Sequence, residues 1–179
     1  QGNVQALYRI ENHLLIGSDY GFYLYDIKKQ LVHLIELSTA EELPTKHVLA
    51  FLRNDNQSVW VGTGNGVYLF DWKKQRVLNK ILYSEDKKNG LSNGTVQALL
   101  KISDNQILVG TANYLNLIDL GDPHFKNISK NLKGNHLLND NVIFSIYKEN
   151  DDLWVGTSDG GLNLIRQGLA YHFTQHQND

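Results

Sequence analysis

A glycine followed by serine or threonine recurs at a near-constant interval, and no other feature of this 179-residue chain constrains its fold as strongly. The glycines are Gly17, Gly62, Gly110 and Gly156, spaced 45, 48 and 46 residues apart. The surrounding phrase returns each time. Val4–Ile10 leads into Leu14–Asp26, Val48–Gln57 into Val59–Asp71, Val96–Gln106 into Ile107–Asp119, and Val142–Asp151 into Leu153–Ile165. A unit of about 40–50 residues holding several short apolar runs is the mark of a propeller blade. Helical repeats have comparable lengths, but no stretch here keeps an apolar period of 3.6 residues for three turns.

Each unit reads as four strands, a to d. The opening run, such as Val96–Leu100, is mostly apolar on both faces and suits an innermost strand buried between neighbouring blades. Turns rich in Asn, Asp and Gln follow at 54–57, 103–106 and 149–152, which is hairpin chemistry. The second strand carries the G-T/S pair, a tight turn follows, and the third strand reads V-Y-L-F-D or L-N-L-I. A second polar hairpin at 26–30 and 71–75 leads to a more polar last strand, as expected where a sheet edge meets water. The predicted fold is therefore all-β: one partial β-propeller spanning 1–179, made of four four-stranded antiparallel blades at roughly 1–44, 45–92, 93–138 and 139–179.

Composition removes several alternatives. The chain is 41% apolar and 20% charged with a net charge of -2, an ordinary globular balance that lacks the basic excess of a nucleic-acid-binding domain. There is no cysteine, so disulfides, thiolate metal sites and cysteine nucleophiles are out, and an oxidising compartment fits. No apolar run is long enough to span a membrane and no signal peptide opens the sequence. With no methionine and Gln1 first, the chain reads as a processed or excised piece.

The unit L-S-N-x-V … W-V-G-T-x-x-G-L-x-x-F-D resembles the two-component-regulator propeller repeat. Gly90–Val96 and Leu43–Val48 look like the starts of such units, and Trp60-Val61-Gly62-Thr63 and Trp154-Val155-Gly156-Thr157 match its core. The first unit lacks the Trp (Ile16-Gly17-Ser18), and the third has Tyr114 where the motif prefers glycine. The resemblance implies a periplasmic sensor domain of a bacterial hybrid histidine kinase or diguanylate cyclase, whose blades commonly close seven-bladed rings. Four blades would then be half a ring, needing either further blades of the parent chain or a second copy in a homodimer. It also implies a small-molecule ligand, such as a saccharide, with the membrane reached only through other parts of the parent protein. A propeller scaffold for protein–protein interaction is the alternative reading.

No catalytic set stands out. Trp60 and Trp154 recur in register with Leu15 and Leu108, which points to packing between blades rather than sugar stacking. Gly62–Gly66 looks like a phosphate loop, but a strand rather than a helix follows it. His172 and His176 have helical metal spacing, yet on a strand they stand about 13 Å apart, so no metal and no cofactor is expected. Ligands of propellers bind at a mouth formed by loops of successive blades. On the face bearing the b–c and d–a loops the polar and aromatic candidates are Asp19, Tyr20, His47, Asn65, Asn93, Asn113, Tyr114, Asn139, Asp140 and Asp159. Tyr20 and Tyr114 stand out, since each occupies a turn position where sister loops have glycine (Gly66, Gly160), and an aromatic there costs backbone ease unless it packs or binds.

Overall fold

A computed structural model of the chain describes residues 2–36, 46–86, 89–121, 124–128 and 137–174. They form four four-stranded antiparallel sheets, each in simple chain order. The chain divides into two compact units, residues 1–82 and 83–179.

The first unit holds blade one, β1 (Val4–Ile10), β2 (His13–Ser18), β3 (Phe22–Asp26) and β4 (Leu31–Leu34), and blade two, β5 (Val48–Arg53), β6 (Ser58–Thr63), β7 (Gly66–Asp71) and β8 (Arg76–Ile81). The second holds blade three, β9 (Val96–Ser103), β10 (Gln106–Thr111), β11 (Leu115–Asp119) and β12 (Phe125–Ile128), and blade four, β13 (Ile143–Glu149), β14 (Asp152–Thr157), β15 (Leu162–Arg166) and β16 (Leu169–Phe173). A strand does follow Gly62–Gly66, as its sequence predicts.

Burial between paired blades supplies each core. In the first unit Leu15 and Phe22 meet Val59, Val61 and Phe70 of the next blade, all fully buried. The Phe22 ring lies 5.5 Å from Phe51 and 5.2 Å from Phe70. Each large buried side chain contributes about 2 kcal/mol relative to exposure. In the second unit Leu108, Leu115 and Leu138 cluster with Ile143 and Val155.

The recurring glycine has a packing cause. Each inner strand carries a register irregularity near its start, between Val4 and Ala6, Val48 and Ala50, and Ile143 and Ser145. Such a bulge re-aims the side chain beside it. Val48 and Ile143 are thereby turned onto the glycine of the preceding blade. A Cβ on Gly17 would sit 2.6 Å from both the Val48 Cγ1 and its carbonyl oxygen, and one on Gly110 would sit 2.6 Å from Ile143 Cγ2. Glycine is the socket into which the next blade inserts.

The hydroxyl after that glycine closes the b–c turn. Ser18, Thr63, Thr111 and Thr157 donate to the carbonyls of Gly21, Gly66, Tyr114 and Gly161 at 2.9–3.0 Å. The hairpin tips use carboxylates. Asp26 and Asp71 each accept two backbone N–H groups, from Lys28 and Lys29 and from Lys73 and Lys74. Asp55 likewise accepts from Gln57 and Ser58 at 2.7 Å. Burial pushes the Asp55 carboxyl up, but these bonds outweigh it and leave it below the usual range. Asp26 is lowered chiefly by the Lys29 backbone bond and Asp152 by Arg166. Groups depressed in the folded state stabilise it above the unfolded value of about 3.9 and lose that contribution as pH falls through their lower folded values. Thermal melts should therefore be flat above about pH 5 and fall progressively below pH 4. Asp55→Asn should flatten that acid limb; an unchanged limb would refute the assignment.

Two expectations need adjustment. Not every inner strand is enclosed: β1 leaves Val4 and Leu7 exposed, and β13 leaves Phe144 and Tyr147 exposed, because these point away from the blade with which each strand packs. The outermost strand β4 is exposed, as predicted for a sheet edge, yet its exposed residues include Leu31, Val32 and Leu34 rather than a polar row. The motif start at 43–45 and His176 lie outside the described residues.

Candidate functional site

Backbone hydrogen bonds join the b–c loop of every blade to the segment entering its inner strand. Asp19 N–H donates to the Asn3 carbonyl, Gly64 to His47, Ala112 to Thr95 and Ser158 to Val142, at 3.0–3.2 Å. The bulge leaves these carbonyls free of the regular ladder, which is why the loop can take them. The candidate residues therefore gather on rigid loop pairs, in two groups, one in each unit.

In the first unit these are Asp19, Tyr20, His47 and Asn65. Asp19 accepts from Gln5 Nε2 at 2.9 Å and from the Asn3 N–H at 3.3 Å, and its carbonyl accepts from His47 N–H at 3.3 Å. The Gln5 bond holds its carboxyl below the usual range. His47 has φ 56, a left-handed conformation that fits the sharp entry into β5. Asn65 is exposed, and its carbonyl accepts from the Tyr68 hydroxyl at 3.3 Å.

The two tyrosines differ. Counting back from the following strand, Tyr114 shares its position with Gly66 and Gly161, and Tyr20 shares its position with Asn65, Asn113 and Gly160. Tyr20 is not among the residues with positive φ, so the backbone cost expected for it is absent; its ring lies over Gly2, where a Cβ would come within 2.2 Å of it. Tyr114 does carry that cost, with φ 80, against φ 120 at Gly66 and 69 at Gly161. A non-glycine residue held there costs about 1–2 kcal/mol. Four bonds hold it: its carbonyl accepts from Thr111 N–H, Thr111 Oγ1 and Asn116 Nδ2, and its N–H donates to the Asn141 carbonyl of the next blade at 2.7 Å.

The rest of the second group surrounds this loop and its blade-four equivalent. Asn93 caps the entry to β9 by accepting from Thr95 N–H at 2.8 Å, and the Asn113 carbonyl accepts from the Ser92 hydroxyl. Asn139 Nδ2 donates to the Gly160 carbonyl. Asp140 accepts from Asn141 N–H at 2.6 Å and from Asp159 N–H at 3.0 Å, which leaves the Asp159 side chain exposed beside it.

Sequence reasoning missed the residues that hold these loops in place. Asn116 and Asn163 are fully buried on the third strands of blades three and four. Asn116 Oδ1 accepts from Ser92 N–H at 2.9 Å while its Nδ2 donates to Val109 O at 3.2 Å. Asn163 repeats this with Asn139 N–H at 3.1 Å and Val155 O at 3.2 Å, and its Oδ1 also meets His172 Nδ1 at 2.7 Å. Since the amide nitrogen is committed to a carbonyl, His172 is the donor in that contact. The signal was present in the repeated L-N-L-I of 115–118 and 162–165, where blades one and two have Tyr23 and Tyr68 instead. Trp60 is buried in blade two, and Trp154 lies 6.0 Å from Phe173 on the outer face of blade four. Among the described residues no group of His, Asp or Glu is placed to hold a metal ion, and no helix is long and apolar enough to cross a membrane.

Comparison with known families bears on blade four. Residues 137–159, from the d–a loop of blade four through its G-T pair, match the family described as two component regulator propeller. That stretch of blade four carries the two-component-regulator propeller repeat. Over 99% of its length it resembles a structure described as the extracellular domain of a hybrid two component system, BT4673, from B. thetaiotaomicron, with 19% identity and a TM-score of 0.75. A second such domain, BT3049 from the same organism, matches over 98% with 15% identity and a TM-score of 0.80. The chain spans 22% and 25% of those two chains. A computationally designed protein, Ika4, is matched over 97% of this chain and 93% of its own, with 15% identity and a TM-score of 0.62. No curated protein sequence matches. At these identities the structural likeness establishes the fold: all-β, with four propeller blades.

Proposed function

We propose that this two-component-regulator propeller chain is part of an extracytoplasmic, periplasm-facing sensor of a bacterial signalling receptor, and that its b–c and d–a loops contact a small ligand such as a saccharide. Binding biases a conformational equilibrium that is passed to a histidine kinase or diguanylate cyclase elsewhere in the receptor. The repeat family and the extracellular two-component domains among the structural neighbours support the sensing role. The absence of a recurring catalytic set argues for binding rather than turnover.

Tyr114 carries the placement of the site. Its turn takes glycine in blades two and four, yet an aromatic is held there at φ 80 by four hydrogen bonds. Strain of this kind collects where a side chain has work to do. Tyr114, Asn113 and Asp140 bring one aromatic face and hydrogen-bonding groups to neighbouring loops, the mix that a sugar ring requires. Asp19, Tyr20, His47 and Asn65 form the corresponding group of the first unit.

The test is a thermal-shift and calorimetric screen of the chain against a panel of oligosaccharides, repeated on Tyr114→Gly. The variant should gain about 1 kcal/mol of stability by relieving the left-handed aromatic. It should also bind the ligand at least about tenfold more weakly, a loss of about 1.4 kcal/mol. Stability and binding then move in opposite directions, which a purely structural tyrosine would not produce. Unaltered affinity in the variant would remove Tyr114 from the site.

A further inference from the structure

Each asparagine that holds a d–a loop of the second unit comes with a polar partner on the outermost strand. Asn116 stands opposite Asn127 in blade three, and Asn163 stands opposite His172 in blade four. Blades one and two lack the set: Tyr23 stands opposite Leu34, and Tyr68 opposite Lys80. The loop end of the set varies with it. Four residues before Val96 and Ile143 stand Ser92 and Asn139, whose N–H groups donate to the two asparagines. Four residues before Val48 stands Pro44, which has no N–H to donate, and in that blade Tyr68 replaces the asparagine. Residue choice on three separate segments changes together, as one hydrogen-bonded network joining them requires.

In blade four the whole network is formed. Asn163 Oδ1 accepts twice, from the Asn139 N–H at 3.1 Å and from His172 Nδ1 at 2.7 Å, which uses both of its lone pairs. Asn163 Nδ2 donates to Val155 O at 3.2 Å, so the oxygen end of the amide faces the loop. From Asn139 the connection reaches both loops of the candidate site. Its Nδ2 donates to the Gly160 carbonyl of the b–c loop. The adjacent Asp140 accepts from Asp159 N–H at 3.0 Å, and the Asn141 carbonyl accepts from the N–H of the strained Tyr114 at 2.7 Å.

We propose that His172 is a positioning residue for the ligand loops: from the outermost strand of blade four its Nδ1–H fixes the Asn163 amide, and through it the loop that carries Asp140 and seats Tyr114. The inference rests on the ligand role given above to those loops. Without the histidine the Asn163 amide loses one of its three anchors, and the Asn139 bond is formed for less of the time. The coupling is reciprocal, so a ligand that tightens the loop also strengthens the histidine bond on the outer strand.

Nitrogen-15 NMR and amide exchange of the full chain test this without any ligand. The neutral imidazole of His172 should carry its proton on Nδ1. His172→Leu should raise exchange at Asn139 about fivefold or more while the β14 amides keep their protection. His172→Asn should restore it, because an asparagine Nδ2 stands where the imidazole Nδ1 was, and blade three already has Asn127 at that register position. His172→Gln should not, because its amide nitrogen falls near the Nε2 position instead. A side chain that merely filled space would tolerate glutamine as well as asparagine. A proton on Nε2, or exchange at Asn139 that is the same in all three variants and the unaltered chain, overturns the proposal. Any oligosaccharide that the chain binds should bind His172→Leu about fivefold more weakly and His172→Asn almost as tightly as the unaltered chain. Equal affinity for His172→Leu, with exchange at Asn139 raised, overturns the link from histidine to ligand. A panel in which no oligosaccharide binds strikes the saccharide reading alone, and the hold of His172 on Asn139 is then decided by exchange.

Discussion

Gly17→Ala lowers the stability of the first unit by about 3 kcal/mol, at the upper end of what overpacking costs. The methyl group would stand 2.6 Å from the Val48 carbonyl oxygen as well as from its side chain, and backbone cannot rotate away as a side chain can. Relief requires blades one and two to move apart at their inner strands, which uncovers the buried Val48 and Leu15. Gly110→Ala acts in the same way through Ile143 Cγ2 and the Ala98 methyl, and the second unit should lose a similar amount. Gly156→Ala is the internal control. It meets only the rotatable Ser145 hydroxyl and should cost less than about 1 kcal/mol in the single chain. Denaturant titration of the three variants measures the contrast. Equal losses at all three positions would show that glycine serves backbone conformation here rather than blade packing.

Asn163→Leu is the second large effect, expected to cost about 3 kcal/mol. Leucine fits the buried volume approximately but supplies neither an acceptor for Asn139 N–H nor a donor for Val155 O. His172 also loses its partner. An orphaned buried donor forfeits its full desolvation, which exceeds the modest net gain of an ordinary hydrogen bond. The d–a loop should be released as well, so amide exchange at Asn139 should accelerate far beyond that of the β14 core. Asn116→Leu should do the same at Ser92. A loss below about 1 kcal/mol with unaltered exchange would mean that the loop is held by its backbone contacts alone. These asparagines matter to the proposed site because they set the loops that carry Tyr114, Asn113 and Asp140.

The sequence determined by itself the strands and their order, because period-two patterning, polar turns and a 45–48-residue interval all point to one solution. It also located the hairpin tips at 26–30, 54–57 and 71–75, since Asp bonds its own backbone where the chain reverses there. Asp26, Asp55 and Asp71 do so here. Tyr114 was legible as a conflict between residue type and turn geometry, and its φ of 80 confirms that conflict. Tyr20 looked the same in sequence, but one residue of register separates the two, and register is set by cross-strand pairing rather than by local composition. The purpose of the recurring glycine was likewise decided only by tertiary structure. A strand glycine can serve a bulge, a bend or a close approach, and only the seating of Val48 and Ile143 on Gly17 and Gly110 selects the last. The buried Asn116 and Asn163 repeat in the L-N-L-I phrase, but the repetition does not say what they bond. Their partners lie 24 residues upstream in another loop, and no local pattern encodes a bond of that length. Contacts between distant segments, unlike strands and turns, arise from how sheets pack, and there the tertiary structure alone decides.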